Sequence, residues 1–194
     1  MENYWISYFA MGRQLMFWLL ISLPLGAVGD TFHERRAQVG LKLFRTFVSA
    51  NQNIDQYLDA KGQLLIGVLH ASTNRATAER YQKVLLATMP AIRQHPSRIE
   101  TLSLTALLQH QGSPAAIFVS DKLSADERSQ LVDFSIRHRL AVFSPFEGDV
   151  ESGILGGLSV EAKVRPLVNI QTLNASGIPL KNFYLSVSRR YEKQ

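Results

Sequence analysis

Three short stretches limit what this chain can fold into: QLLIGVL at 63–69, PAAIFVS at 114–120 and LAVFS at 140–144. Each is a nearly continuous apolar run of strand length, the pattern of strands covered on both faces. Amphipathic segments lie around them. His33 to Ala50 places Val39, Leu43, Phe44, Phe47 and Val48 at helical spacing, with Lys42 and Arg45 on the other side. Asn74 to Met89 sets Ala78, Tyr81, Val84, Leu85 and Thr88 on one face and meets its stop at Pro90 or Pro96. Ser124-Ala125-Asp126-Glu127 is a capping box that opens a helix to about Arg137, with Leu131, Phe134, Ser135 and His138 on one face. Arg98 to Leu104 reads as a further strand, and residues 105–113 are ambiguous. The alternation predicts an α/β fold: one compact domain with a mixed, mainly parallel sheet and helices on both faces, a Rossmann-like three-layer sandwich.

Composition narrows the class. With 194 residues, 46% of them apolar, the chain suits one domain with a sizeable core rather than disorder. Lys and Arg number 21 against 16 Asp and Glu, but the densest basic groupings, Arg35-Arg36 and Arg189-Arg190, are only pairs. Nucleic-acid binders concentrate such charge, so nucleic acid is not an expected partner. There is no cysteine, so neither a disulfide nor a thiol can contribute.

The N-terminus speaks to location. Arg13 precedes an apolar core, Leu15 to Leu23, that Pro24 and Gly26 break; Ala27-Val28-Gly29 then supply small residues. That is the layout of a secretory signal over residues 1–29, cleaved before Asp30, with either Met1 or Met11 as the start. The run from Leu15 to Gly29 falls short of the ~20 residues that span a bilayer. Trp5 to Met11 adds apolar length upstream, which keeps a retained anchor as the alternative. The expectation is a domain, 30–194, exported to the periplasm.

Residues 144–169, SPFEGDVESGILGGLSVEAKVRPLVN, pack four glycines beside four carboxylates and an arginine. A phosphate-binding loop would need Gly-Lys-Ser/Thr, and Gly156-Gly157 is followed by Leu158-Ser159. A dinucleotide fingerprint needs a helix after the glycines, where LSVEAKV alternates like a strand. A calcium loop beginning at Glu147 would need a carboxylate where Leu158 stands. The stretch reads instead as a turn feeding a hairpin of Ile154 to Ala162 with Val164 to Ile170, its paired glycines marking a bulge or a close backbone approach. No histidine pair has helical ligand spacing, and no Gly-x-Ser-x-Gly elbow is present. No enzyme, metal or cofactor is expected. His70 reads as a strand end and His138 as a helix end.

Toward the C-terminus, Asn169-Ile170-Gln171 begins a short helix capped by Gly177. Leu180, Phe183, Tyr184 and Val187 then make one apolar stripe, with Arg189, Arg190 and Lys193 expected in the last helical turn. The ordered series of Gly156-Gly157, strand Leu158 to Ala162, strand Val164 to Asn169, helix Ile170 to Gly177 and helix Lys181 to Arg190 resembles the C-terminal signature of the YfiR/HmsC-like family of periplasmic proteins. AAIFVS at 115–120 and LKLFRTFV at 41–48 are similar to family features too. This chain departs in having Ala50-Asn51-Gln52 where the family often has Trp-Pro, Leu167 where it often has an acidic residue, and no cysteine.

The resemblance implies a non-catalytic periplasmic regulator. Relatives restrain a membrane-anchored diguanylate cyclase through its periplasmic sensor region, which lowers cyclic di-GMP and biofilm formation. Candidate contact residues are Phe146, Glu147, Arg165, Lys181 and Phe183, and a second copy of the chain is a further candidate partner. The alternative is a periplasmic small-ligand-binding module, linked to a sensor kinase or an outer-membrane receptor. In that case Arg165 and Lys181 would line a pocket for an anionic or aromatic solute.

Overall fold

The computed structural model describes residues 27–71, 75–110 and 114–193, with side chains from residue 33 onward. The expected secretory signal lies outside them up to residue 26. The expected cleavage point before Asp30 falls within the first helix, α1 (Ala27–Ala50). Met1–Glu34 forms one unit and Arg35–Gln194 a second, compact one, to which the packing below belongs.

After α1 and a short 3₁₀ turn (Ile54–Tyr57) come β1 (Leu64–His70), α2 (Arg75–Thr88), β2 (Ala91–Ile92), β3 (His95–Ser103), α3 (Leu104–Leu108), β4 (Ala116–Val119) and α4 (Ala125–His138). β5 (Ala141–Ser144), β6 (Gly156–Val160), β7 (Val164–Asn169), α5 (Ile170–Ser176), α6 (Asn182–Val187) and β8 (Arg189–Tyr191) follow. All eight strands join one sheet in the order β2-β3-β1-β4-β5-β6-β7-β8. The central five, from β3 to β6, are parallel, and β7 turns back antiparallel to β6 with Val160 opposite Val164. The three-layer α/β architecture is the expected one.

The three apolar runs are β1, β4 and β5, and every residue of these strands is buried. Alternate side chains feed two cores. On one face Ile66, Val68, Phe118 and Phe143 meet α1, α2 and α6 through Phe44, Phe47, Tyr81 and Tyr184; on the other Leu69, Ile117, Val119 and Val142 meet α3 and α4 through Leu107, Leu131 and Phe134. Phe44 lies edge-on to Phe118 at 5.3 Å and tilted to Phe143 at 5.8 Å, while Phe47 stands 5.6 Å from Phe143. Such pairs add ~0.5–1.5 kcal/mol each beyond area burial.

Two guanidinium groups tether α1. Within the helix, Arg36 donates through Nε to the Pro145 carbonyl and through Nη2 to the Leu158 carbonyl at 3.0 Å. At its end, where no basic residue occupies the last turn, Arg93 donates to the Ser49, Asn51 and Gln52 carbonyls at 2.9, 2.6 and 3.2 Å. A cation from another element thus satisfies carbonyls at and just beyond the helix end, where acceptors lack helical partners. Arg93 and Gln94 are the two loop residues of the β2–β3 hairpin, and both have positive φ, 52° and 89°. Two-residue hairpins favour such backbones because they match strand twist.

Several expectations are refined. The Ser124 capping box forms with both reciprocal bonds, Glu127 N–H to Ser124 Oγ at 3.2 Å and Ser124 N–H to Glu127 Oε2 at 2.9 Å. Residues 104–108 form α3, capped by Ser103, so the preceding strand ends one residue before Leu104. Val84 is 40% exposed, so the buried face of α2 is Ala78, Tyr81 and Leu85 alone. The closing helix does not reach Arg190. Ser188 turns extended (φ −84°, ψ 146°), and Arg189–Tyr191 pair with Leu167–Asn169 as β8. The backbone edge of β7 accepts those residues as a strand, and the expected C-terminal helix charge becomes instead a short, cationic sheet edge of the kind that resists edge-to-edge association.

Gly156-Gly157 owes its identity to close approach. A Cβ on Gly156 would lie 2.7 Å from the Phe47 ring, and one on Gly157 would lie 2.7 Å from the Ser144 carbonyl oxygen and 2.6 Å from Val150 Cγ2. Gly157→Ala is expected to destabilise the protein by about 1–3 kcal/mol, since a backbone carbonyl cannot step aside as a side-chain end can. Denaturant unfolding at equilibrium checks this, and an unchanged midpoint would refute the contact.

Candidate functional site

The strand order creates one special place. From β1 the chain crosses through α2 to β3 on one side, then returns past β1 through α3 to β4 on the other. α2 packs on one face of the sheet and α3 on the opposite face. The connections therefore diverge at the carboxyl ends of β1 and β4. In open α/β sheets that divergence leaves a crevice, and ligands bind there.

Three polar residues sit at it. His70 closes β1, and Ser120-Asp121 follow β4 directly. His70 is 9% exposed, and its Nδ1 stands 2.8 Å from the Ala71 carbonyl oxygen. A carbonyl only accepts, so Nδ1 carries a proton, and in the neutral tautomer that fits this bond Nε2 is an acceptor. Asp121 is half-buried; its Oδ1 accepts the Ala71 N–H at 3.0 Å and lies 3.1 Å from Ser120 Oγ. Ser120 Oγ is also 2.9 Å from the Leu69 carbonyl, and its single proton serves one acceptor at a time. Burial pushes the Asp121 carboxyl above the usual range; the Ala71 N–H, the Ser120 hydroxyl and the charge of His70 oppose this, while Glu127 adds to it. A hydrolytic triad needs a serine–imidazole bond. Here the imidazole bonds to backbone and the serine to Leu69 or Asp121.

Farther along the same edge, the glycine-rich stretch is held as a compact loop. Asp149 is 1% exposed; its Oδ2 accepts the Ser144 hydroxyl at 2.5 Å and its Oδ1 the Arg128 Nη1 at 3.2 Å. Asn169 Nδ2 donates to the Val150 carbonyl at 2.8 Å, and the Thr172 hydroxyl donates to the Gly153 carbonyl at 2.8 Å. The stretch is architecture, as its composition led us to expect, and its buried carboxylate is a peg rather than a ligand.

The five predicted site residues do not gather. Phe146 is half-buried and packs against the α3–α4 core rather than standing out from the loop, whereas Glu147 beside it is exposed. Arg165 is exposed near the start of β7, beside the carboxyl end of β6. Lys181 caps α6, and its backbone N–H donates to the Ala50 carbonyl at the end of α1. That end of α1 lies toward the amino ends of the parallel strands, so Arg165 and Lys181 occupy opposite edges of the sheet and line no common pocket. Phe183 is 74% exposed and Val187 45%, while Tyr184 and Leu180 are buried, so the predicted stripe divides between surface and core.

Sequence reasoning missed the switch-point residues, taking His70 only as a strand end. The signal was available: in a parallel sheet, polar residues directly after buried strands, such as His70 after LLIGVL and Ser120-Asp121 after AIFV, face the ligand edge. A separate shallow cleft of about 390 Å³ is lined by Asp59, Ala60, Lys61, Gln63 and Arg98, beside the amino end of β1. Asp59 there is already committed to the Lys61 and Gln63 N–H groups at 2.8 and 2.9 Å. Among the described residues no three His, Cys, Asp or Glu side chains group as metal ligands, and no helix is long and apolar enough to cross a membrane.

No family model and no curated protein matches the chain. Among solved structures it is similar to the ligand-free, open form of a substrate-binding protein with adhesive properties from Clostridium difficile, at 13% identity and a TM-score of 0.51, over 74% of this chain and 59% of that one. It is also similar to the ABC domain in complex with L-Trp from Streptococcus pneumonia, at 11% identity and a TM-score of 0.48, over 74% of this chain and 61% of that one. The chain therefore spans about three fifths of the length of either protein, and its likeness to the first is one of α/β fold.

Asp149 yields a pH signature. Burial holds its carboxyl above the ordinary 3.8, with the Ser144 hydroxyl and Arg128 opposing only in part. The folded state then binds this proton more tightly than the unfolded state. The stability it contributes is fullest below the ordinary value and is lost as pH rises through the folded one. Compared with Asp149→Asn, the wild type is expected to lose relative stability in denaturant titrations as pH rises from the ordinary carboxylate value of 3.8 upward. A relative gain would mean that the Arg128 pair outweighs burial.

Proposed function

We propose that this chain is a ligand-binding module that takes a small solute at the carboxyl ends of β1 and β4. The observation that carries this is the switch-point cluster: a buried imidazole and a half-buried carboxylate, each partly committed to backbone and each with one acceptor atom to spare. The solved structure with the higher TM-score is that of a substrate-binding protein, and its fold supports the same reading. The signal-like N-terminus supports a location outside the cytoplasm, in the periplasm. There, solute occupancy would be relayed by differential binding to a membrane-bound sensor kinase or an outer-membrane receptor.

A second reading rests on one observation, the 74% exposure of Phe183 beside exposed Lys181 and Val187. A large aromatic held out in water on a short helix suits a protein contact. With the C-terminal resemblance to the YfiR/HmsC-like family, it supports docking onto the sensor region of a diguanylate cyclase.

Thermal unfolding against a library of small solutes separates the two. A ligand at a hundredfold excess over Kd stabilises by about 2.7 kcal/mol, a rise in Tm of roughly 5–10 °C for a domain of this size. The expected result is such a rise with at least one solute class, abolished in Asp121→Asn and unchanged in Phe183→Ala. No rise with any solute, together with capture of a membrane-anchored cyclase that Phe183→Ala abolishes, would replace the first reading by the second.

A further inference from the structure

We propose that the solute taken at the switch point carries a primary ammonium group. This rests on the ligand-binding reading above and adds the chemical class of the ligand. The polar atoms left over at the crevice are His70 Nε2 and Asp121 Oδ2, once Nδ1 has bonded to Ala71 O and Oδ1 to the Ala71 N–H. In the neutral tautomer that this carbonyl fits, both are acceptors. A matching ligand must therefore donate to acceptors at the carboxyl ends of two adjacent strands. A primary ammonium has three N–H donors, and a carboxylate or phosphate has none.

The local charge points the same way. Asp121 has no lysine or arginine partner among the described residues. Its carboxyl is close enough to both His70 and Glu127 for their charges to interact. Glu127 stands in the first turn of α4, where it accepts the Ser124 N–H in the capping box. Two carboxylates and an acceptor imidazole make a site that repels an anion and attracts a cation. A bound ammonium would supply the permanently charged partner that the half-buried Asp121 lacks among the described residues, where the nearby imidazole carries charge only when protonated; half-buried carboxylates of this kind are costly until paired.

The test uses matched sets of small molecules: linear and aromatic primary amines, their N-acetyl derivatives, and the carboxylates of the same carbon skeletons. Each is titrated calorimetrically into the full chain and followed by Tm. The expected result is that one or more amines bind at least tenfold tighter than both counterparts, and that Asp121→Asn weakens that amine tenfold or more. His70→Gln, which removes the imidazole acceptor, is expected to weaken it as well. The comparison of amine with N-acetyl derivative needs no variant, so a misfolded substitution does not spare the proposal. Equal binding of the acetylated or carboxylate form, or binding by a folded Asp121→Asn variant at unchanged strength, would overturn the ammonium assignment while leaving a solute site in place. No binding by any compound of the three sets, or only by uncharged solutes from the wider library, would also overturn it. In the first case a silent wider library brings down the binding-module reading too, whereas a hit there leaves that reading standing.

Discussion

The contact on which the rest of the fold depends is between the aromatic side of α1 and the middle of the sheet. Phe44 and Phe47 lie against Phe118 and Phe143, with Tyr81 and Tyr184 completing the ring of contacts from α2 and α6. This places one helix across the central strands, and the tethers at Arg36 and at its C-terminal end hold its height above them. Gly156 is required because Phe47 fills the space a side chain would use. Without cysteines, the architecture relies on this packing and on a few buried polar bonds that fix register.

Those bonds fall into two kinds. Asp149, with Ser144 and Arg128, and Asn169, with Val150 and Thr172, satisfy buried groups completely and stabilise a loop that would otherwise be free to rearrange. The His70–Asp121 pair is only half committed: backbone holds one atom of each and leaves the other available. Fully satisfied clusters support structure, and under the proposed binding reading a half-satisfied one at the edge of the sheet is where a ligand would complete the set. That difference separates scaffold from site in this molecule better than the residue types alone.

Much of the fold was legible in the sequence because local pattern and tertiary role agree. LLIGVL, AIFV and AVFS are apolar throughout because both faces are covered, and the Ser124 box names its own helix start. Legibility failed where a neighbour decides. Arg189–Tyr191 have no strand pattern and become β8 only because β7 offers an edge. Arg93 caps α1 from a hairpin over forty positions away. The site was less legible still, since bringing His70 beside Ser120-Asp121 depends on the order β3-β1-β4, which no local periodicity encodes. The glycines drew attention by their density, yet they serve packing, while an ordinary-looking histidine at a strand end holds the more informative position.

The β6–β7 hairpin has a further consequence. Its tip, Glu161 to Lys163, is exposed and stands beyond the carboxyl edge of the sheet, on the same side as the switch point. Two strand spacings, about 10 Å, separate β6 from β4. The tip carries no core side chain, and Val160 and Val164 at its base are already half in solvent. Lengthening it would cost little, about 0.6 kcal/mol for each doubling of the loop. The hairpin can therefore change length while the aromatic packing beneath it stays untouched.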